Sequence, residues 1–186
     1  MHISKVLSGM NITPKITHYD GYLFRSKLEA KWAVFFNTLK IPYEYEPEAF
    51  FCSDGSQYTP DFHLPKSYLR HIDGQGFCLE IKALYHNEPK TYLDRIASAL
   101  ECRRLVLLCG DPFDVINEVS LPSNLQLSPE WDSDMLPMYC ECCEVLKIDY
   151  HCRKNHKCPL CGSVIHSDRA HKAALIARQY KFTFHK

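Results

Sequence analysis

Two Cys-X-X-Cys motifs near the C-terminal end constrain the fold of this chain more than any other feature. The first is CECC, from Cys140 to Cys143, and the second is CPLC, from Cys158 to Cys161, with fourteen residues between them. This spacing is typical of a zinc ribbon, in which two turns each supply two thiolates at about 2.3 Å from the ion. The sequence therefore predicts a structural Zn²⁺ site formed by Cys140, Cys143, Cys158 and Cys161.

Other residues in the same stretch are alternative zinc ligands. Cys142, Cys152, His151 and His156 all lie close to the two motifs, but Cys142 could replace Cys143 only through a tighter turn. A redox-active cysteine pair is a competing interpretation, and it needs a strand-to-helix setting that this stretch does not offer. A segment with so few large apolar residues depends on a metal ion to fold.

Composition excludes several classes of protein. Hydrophobic residues make up 46% of the chain and aromatic residues 12%, which can supply a packed core, so extensive disorder is not expected. No apolar run approaches the roughly twenty residues of a membrane span, and the initial MHISKVLSGMNITPK lacks the apolar stretch of a signal peptide. We therefore expect a cytoplasmic protein with no membrane partner, and in such a reducing compartment crowded cysteines favour metal binding.

Charge and proline content divide the chain into three parts. Residues 111–137 contain four prolines, six acidic residues and no basic residue, and we interpret them as an acidic connector. Residues 138–186 carry nine basic and four acidic residues, and they are predicted to form the zinc ribbon and a terminal basic helix over SDRAHKAALIARQY. Residues 1–110, which are almost neutral, are predicted to form the main domain with an N-terminal arm.

The main domain has the pattern of an α/β protein. The apolar stripe of Leu28, Trp32, Phe35 and Phe36 predicts a core-facing helix from Ser26 to Leu39. Strands are predicted over residues 43–51, 57–64, 76–85 and 103–110, and a second helix over residues 88–100. Pro60 indicates an edge, a bend or a bulge in the second strand.

Three ionisable residues occupy strand positions where bulky apolar residues would pack better. Asp61 lies on the second predicted strand, and Glu80 and Lys82 lie two residues apart on the third, so they project from the same face of the sheet. Strand pairing can bring Asp61 beside them. Two converging carboxylates repel each other unless a cation lies between them, and such oxygen ligands suit Mg²⁺ or Mn²⁺. A neighbouring lysine can face the charge that develops on a phosphoryl group.

This arrangement resembles the motif of the PD-(D/E)XK nuclease superfamily. The motif is carried by Pro60-Asp61 and by Glu80-Ile81-Lys82, after a helix FRSKLEAKWAVFF that looks like the first core helix of that family. The resemblance covers residues 24–110. It implies a restriction-endonuclease-like αβββαβ core, with a mixed sheet flanked by helices, and a Mg²⁺-dependent endonuclease or exonuclease activity on nucleic-acid phosphodiesters.

The resemblance also implies a role for each motif residue. Asp61 and Glu80 would ligate the metal with help from the Ile81 carbonyl, and Lys82 would orient the water or stabilise the transition state. Glu29 would ligate a second ion, directly or through water. An alternative for Glu29 is structural, because Ser26 and Glu29 have the spacing of a helix capping box.

By analogy with the family, DNA is the expected substrate ahead of RNA, and phage or mobile-element nucleases are the most similar in architecture. A homodimer or a partner protein is also compatible with the sequence. A non-catalytic nucleic-acid-binding protein on the same fold, or a zinc-ribbon adaptor for proteins, are alternative functions. Basic residues near either motif are candidate contacts to a phosphate backbone, namely Lys27, Lys31, Lys90, Arg153, Lys154 and Lys157.

Overall fold

The protein is a mixed α/β structure. A computed structural model describes residues 15–51, 55–69, 76–83, 105–116, 135–150, 157–158, 160–165 and 168–183. Within these ranges the helices are α1 (Lys27–Thr38), α2 (Pro112–Ile116) and α3 (Asp168–Gln179). None of these described helices is both long and apolar enough to cross a membrane.

The strands of the described residues form four small sheets. In chain order they are β1 (Thr17–Tyr19), β2 (Tyr22–Phe24), β3 (Glu44–Tyr45), β4 (Phe50–Phe51), β5 (Gln57–Tyr58), β6 (Phe62–Leu64), β7 (Tyr68–Leu69), β8 (Phe77–Lys82), β9 (Leu105–Cys109), β10 (Met135–Cys140) and β11 (Val145–Tyr150). The central sheet has the order β3-β6-β8-β9. It is mixed, because β6 is antiparallel to β3 and β8, whereas β8 and β9 are parallel.

Helix α1 forms where the sequence predicts it and supplies much of the core. Ser26 is its N-cap, since the Ser26 hydroxyl accepts a hydrogen bond from the Glu29 backbone N–H at 3.1 Å. The predicted stripe residues Trp32, Phe35 and Phe36 are fully buried. The Trp32 indole N–H donates to the Gly110 carbonyl at 3.1 Å, which fixes the helix against the end of β9.

The prediction of one continuous strand over residues 43–51 is wrong, because this segment forms two strands in different sheets. β3 pairs with β6 in the central sheet, and β4 pairs with β5 in a separate hairpin. The chain breaks at Glu46, whose φ of 45° is left-handed, and the facing strand breaks near Pro60. The prediction of one strand over residues 57–64 is therefore also wrong, because β5 and β6 are separate strands on either side of Pro60.

The C-terminal helix packs on the core through small residues. Its large apolar residues Leu175 and Ile176 are exposed, whereas its buried residues are all alanines. These alanines belong to the same hydrophobic cluster as the α1 aromatic residues. Small side chains let two helices approach closely, so sequence patterns based on large apolar residues underestimate this buried face. The buried alanines are Ala170, Ala173, Ala174 and Ala177.

The hairpin β10–β11 also joins the main fold. β11 pairs in parallel with β7, and the buried Tyr139 hydroxyl donates to the Leu39 carbonyl at 2.6 Å. Leu39 is the C-cap of α1, so a distant side chain satisfies one of the carbonyls that a helix end leaves without an intrahelical partner.

Several predictions fall on residues outside the described ranges. The second helix of the main domain, over residues 88–100, and most of the acidic connector are among them. The three-part division of the chain stays a prediction.

Gly76 offers a test of how tightly β8 is packed at its start. Its φ is +76°, and a Cβ there would lie 2.4 Å from the Leu64 carbonyl oxygen and 2.7 Å from the Pro65 Cα. Gly76→Ala should therefore lower the free energy of unfolding by the left-handed penalty of about 1–2 kcal/mol plus about 1–3 kcal/mol of overpacking. Denaturant unfolding measures the sum of these two penalties.

Gly55→Ala is the matched control for this substitution. Gly55 has a similar φ of +81°, but nothing lies within 4 Å of the position that a Cβ would take there, so the alanine should incur the left-handed penalty alone. Equal losses in the two variants would contradict the close approach between β8 and the end of β6.

Candidate functional site

Asp61 and Glu80 face each other across neighbouring strands. The register of β6 and β8 pairs Phe62 with Leu79, and the next position in this register places Asp61 opposite Glu80. Opposed residues on one face of an antiparallel pair have Cβ atoms about 5 Å apart. Both carboxylates are buried, with 3% and 5% of their surface exposed. The structure thus brings together the two acidic residues that the motif predicts.

Both oxygens of the Asp61 carboxylate have protein donors. Oδ2 accepts a hydrogen bond from the Ile81 backbone N–H at 2.6 Å. Oδ1 accepts a hydrogen bond from Nη2 of the Arg25 guanidinium, also at 2.6 Å. The first bond fixes Asp61 to the strand that carries Glu80. The second places a cation at the mouth of the site.

The environment of Asp61 raises its pKa to about 7. Burial is the largest cause, and the charge of Glu80 is the next. The Ile81 N–H bond opposes the shift, the charge of Glu29 adds to it, and Arg25 opposes it weakly. Three carboxylates therefore lie within electrostatic reach of one another around Asp61.

Lys82 and Tyr58 hold the Glu80 carboxylate from two sides. The Lys82 Nζ lies 2.9 Å from Oε1 of Glu80, and the Tyr58 hydroxyl donates to Oε2. About a third of the Lys82 side chain is exposed, so this lysine is partly open to solvent while it pairs with a buried carboxylate. A cation in this position can act on an anionic group that approaches the site.

Glu29 takes part in the cap of α1 and in a second cluster of hydrogen bonds. The Ser26 hydroxyl donates to Oε1 at 2.7 Å, and Oε2 accepts the Tyr45 hydroxyl at 2.6 Å and the Arg25 backbone N–H at 3.2 Å. The capping interaction of Ser26 is therefore present. The carboxylate is nevertheless close enough to act on the pKa of Asp61, so the predicted role as a metal ligand stays a prediction.

The carboxylates could take a cation between them. They offer oxygen atoms, they are buried, and a positive charge would relieve their mutual repulsion. They are not gathered as tightly as a preformed cluster, however. Within the described residues, the groups of three or more His, Cys, Asp or Glu with ligand atoms inside 4.8 Å include none of Glu29, Asp61 and Glu80.

The basic residues predicted to contact nucleic acid differ in their surroundings. Lys27 and Lys157 are exposed. Lys31 instead forms an ion pair with Asp111 at 2.8 Å and is only 18% exposed, so it braces α1 against the segment before α2. The remaining three candidates lie outside the described residues, namely Lys90, Arg153 and Lys154.

The four predicted zinc ligands come together in the structure. The thiol sulfurs of Cys140, Cys143, Cys158 and Cys161 all lie within 4.8 Å of one another. The Cys140 and Cys161 sulfurs are 3.8 Å apart, which matches the edge of roughly 3.8 Å expected for a tetrahedron of zinc–sulfur bonds of about 2.3 Å. The cluster can therefore hold a structural metal ion such as zinc.

Two turns position these cysteines. Cys140 ends β10 and Cys143 lies in the turn before β11, where Glu144 has a left-handed φ of 52°. In the second turn the Gly162 N–H donates to the Cys158 carbonyl at 2.9 Å. The hydroxyl and backbone N–H of Ser163 lower the pKa of Cys161 to about 6, which favours the thiolate form that binds metal.

Arg25, Tyr45 and Tyr58 are site residues whose contacts the sequence does not predict. All three bind carboxylates of the candidate site. The sequence marks Arg25 as a basic residue off the apolar stripe, but two tyrosines in strand segments rich in aromatic residues look like ordinary core residues. Their hydroxyl groups reach the carboxylates of Glu29 and Glu80 only in the folded arrangement of the strands.

Comparisons with known proteins were made at the level of families, curated proteins and solved structures, and no family model, curated protein or solved structure matches the chain. What its own residues define is a class of protein. It is a mixed α/β protein with small sheets, three described helices, and a cluster of four cysteines that can hold a metal ion such as zinc.

The coupling between Asp61 and Glu80 can be tested by titration. Folded Asp61 keeps its proton up to about pH 7, whereas its ordinary pKa is 3.8, so the folded state binds more protons between these values. The contribution of Asp61 to the free energy of unfolding should therefore fall as the pH rises from about 4 to about 7.

Glu80→Gln removes a nearby negative charge and should lower the pKa of Asp61. Carbon-13 NMR of the Asp61 carboxyl group, recorded without added divalent cation, measures this pKa.

Glu48→Gln is the control for the titration. Glu48 is exposed and is not among the charges that act on Asp61, so its substitution should leave that pKa unchanged. An Asp61 carboxyl that titrates near its ordinary value in the unsubstituted protein would contradict the buried, coupled arrangement.

The four-cysteine cluster predicts the metal content of the purified protein. Elemental analysis should find about one equivalent of zinc, and Cys158→Ser or Cys161→Ser should remove it. Cys142→Ser should retain it, because Cys142 is exposed and lies outside the cluster. Zinc that is lost from the Cys142 variant, or that survives both of the other substitutions, would contradict this set of ligands.

Proposed function

We propose that the protein is a divalent-metal-dependent nuclease of the PD-(D/E)XK type that hydrolyses phosphodiester bonds in DNA. The observation that carries the proposal is the meeting of Asp61, Glu80 and Lys82. Two adjacent strands bring the two carboxylates opposite each other, and the lysine forms an ion pair with the second carboxylate at 2.9 Å. Sequence order and strand pairing thus agree on one small cluster.

Asp61 and Glu80 are the residues that would hold the Mg²⁺, with the Ile81 carbonyl and, for a second ion, Glu29. A bound Mg²⁺ would supply a more acidic water and a positive charge next to the phosphoryl oxygens. The burial of the two carboxylates strengthens their attraction for a cation, because little water competes with it. The Ile81 N–H keeps Asp61 oriented toward the strand of Glu80.

Lys82 would act on the substrate side of the site. Its partly exposed ammonium group can donate hydrogen bonds to a phosphoryl oxygen and offset the negative charge that grows there. Tyr58 keeps the other oxygen of Glu80 occupied, so Lys82 and Tyr58 together fix the orientation of this carboxylate. In the reaction, a water oxygen bonds to phosphorus, the ester P–O bond breaks, and the leaving oxygen gains a proton.

The zinc ribbon would have a structural role in this enzyme. Among the described residues its hydrophobic cluster consists of Cys140, Val145, Cys158 and Ile165, with Cys143 packed against it, so a bound ion would supply much of its stability. Exposed Lys157 and the basic residues of the same segment would follow the phosphate backbone of the substrate.

Cleavage assays with linear, circular, single-stranded and branched DNA test the proposal, with Mg²⁺, Mn²⁺ or EDTA. Cleavage should require the divalent cation, and Asp61→Asn, Glu80→Gln and Lys82→Ala should each reduce it by about 10²-fold or more, because each removes a group that acts on the reacting phosphate or its cation.

Two exposed residues provide matched controls for these variants. Glu48→Gln and Lys66→Ala make the same kinds of change at exposed positions outside the site and should keep full activity. Binding of DNA without cleavage under every condition would instead favour a non-catalytic nucleic-acid-binding protein. Absence of both binding and cleavage would favour a zinc-ribbon adaptor for proteins.

A further inference from the structure

Arg25 supplies the positive charge that the buried carboxylate of Asp61 would otherwise lack. Its Nη2 lies 2.6 Å from Oδ1 of Asp61. The other oxygen of Asp61 already accepts the Ile81 N–H, so the guanidinium pairs with the second oxygen of this carboxylate. A metal ion bound by Asp61 would need this same position beside the carboxylate.

The guanidinium can leave Asp61 without disturbing the fold. The Arg25 backbone N–H is fixed by Oε2 of Glu29 at 3.2 Å and by the Tyr45 hydroxyl at 3.0 Å. The side chain, in contrast, is 58% exposed. Because the backbone is fixed and more than half of the side chain is exposed, a change of side-chain rotamer is enough to separate Arg25 from Asp61.

A second carboxylate is in place to keep the released guanidinium. The Nε of Arg25 lies 2.7 Å from Oε1 of Glu46. Glu46 is itself tied to the site, since its backbone N–H donates to the Asp61 carbonyl at 3.0 Å. Glu46 is more exposed than Asp61, and it can remain paired with Arg25 when Asp61 is taken by another cation.

We propose that Arg25 is an exchangeable counterion of the metal site. In the metal-free protein it pairs with Asp61, and a divalent cation that binds Asp61 displaces it toward Glu46. The exchange follows from charge, because a guanidinium and a divalent ion on the same carboxylate repel each other at short range. This inference rests on the proposed function, since it takes Asp61 to be a metal ligand.

Binding of Mn²⁺, followed by the electron paramagnetic resonance signal of the free ion, tests the exchange on the zinc-loaded protein. Arg25→Met removes the competing cation and should tighten Mn²⁺ binding about fivefold or more, the size expected for a charge-assisted hydrogen bond that is partly exposed. Lys27→Met is the matched control, because Lys27 is an exposed neighbour at the start of α1. It should change the affinity less than about twofold at low salt and not at all at high salt, as expected for an exposed charge that salt screens.

Two conservative variants keep the test valid if Arg25→Met is poorly folded, which circular dichroism shows. Arg25→Lys retains the charge but loses the planar fork, so it should tighten Mn²⁺ binding by less than Arg25→Met. Glu46→Gln removes the second carboxylate and should weaken Mn²⁺ binding, whereas Glu48→Gln should leave it unchanged.

The outcomes separate this inference from the proposed function. Mn²⁺ binding that requires Asp61 but is unchanged or weakened by Arg25→Met overturns the exchange and leaves the nuclease proposal standing. Equal effects of Arg25→Met and Lys27→Met at both salt concentrations also overturn the exchange alone. Failure of the unsubstituted protein and of every variant to bind Mn²⁺ overturns both proposals.

Discussion

A buried carboxylate that accepts a backbone N–H from the neighbouring strand ties together the parts of the candidate site. Asp61 lies just before β6, and its side chain accepts the Ile81 N–H of β8, the strand that also carries Glu80. Arg25 pairs with the other oxygen of Asp61 and with Glu46. The charged residues therefore meet where β3 ends and β6 begins.

Sequence patterns predict the parts of this structure that depend on local or periodic interactions. The helix from Ser26 follows from its apolar stripe and its cap, and the four cysteines follow from their spacing. The break at Glu46 does not, because a left-handed residue other than glycine gives no clear signal in the chain. The ion pair between Arg25 and Asp61 and the alanine face of α3 do not follow from the sequence either, because both depend on which elements pack together.

The two candidate ion sites differ in their physical design. The cysteine sulfurs are soft ligands that already lie at the spacing of a tetrahedron, and the surrounding segment has little core of its own. The carboxylates are hard ligands embedded in a large core, and each is held by protein donors. A bound ion would stabilise the cysteine segment. The carboxylates, in contrast, belong to a core that packs without an ion, and there an ion would relieve their mutual repulsion.

The bond between the Tyr139 hydroxyl and the Leu39 carbonyl has a consequence for synthesis of the chain. A ribosome makes the protein from its N-terminus, so α1 emerges long before Tyr139 does. Until Tyr139 and α3 have been made, the end of α1 has neither this donor nor the cover of the alanine face of α3. The packing around α1 is therefore completed late, once α3 has left the ribosome.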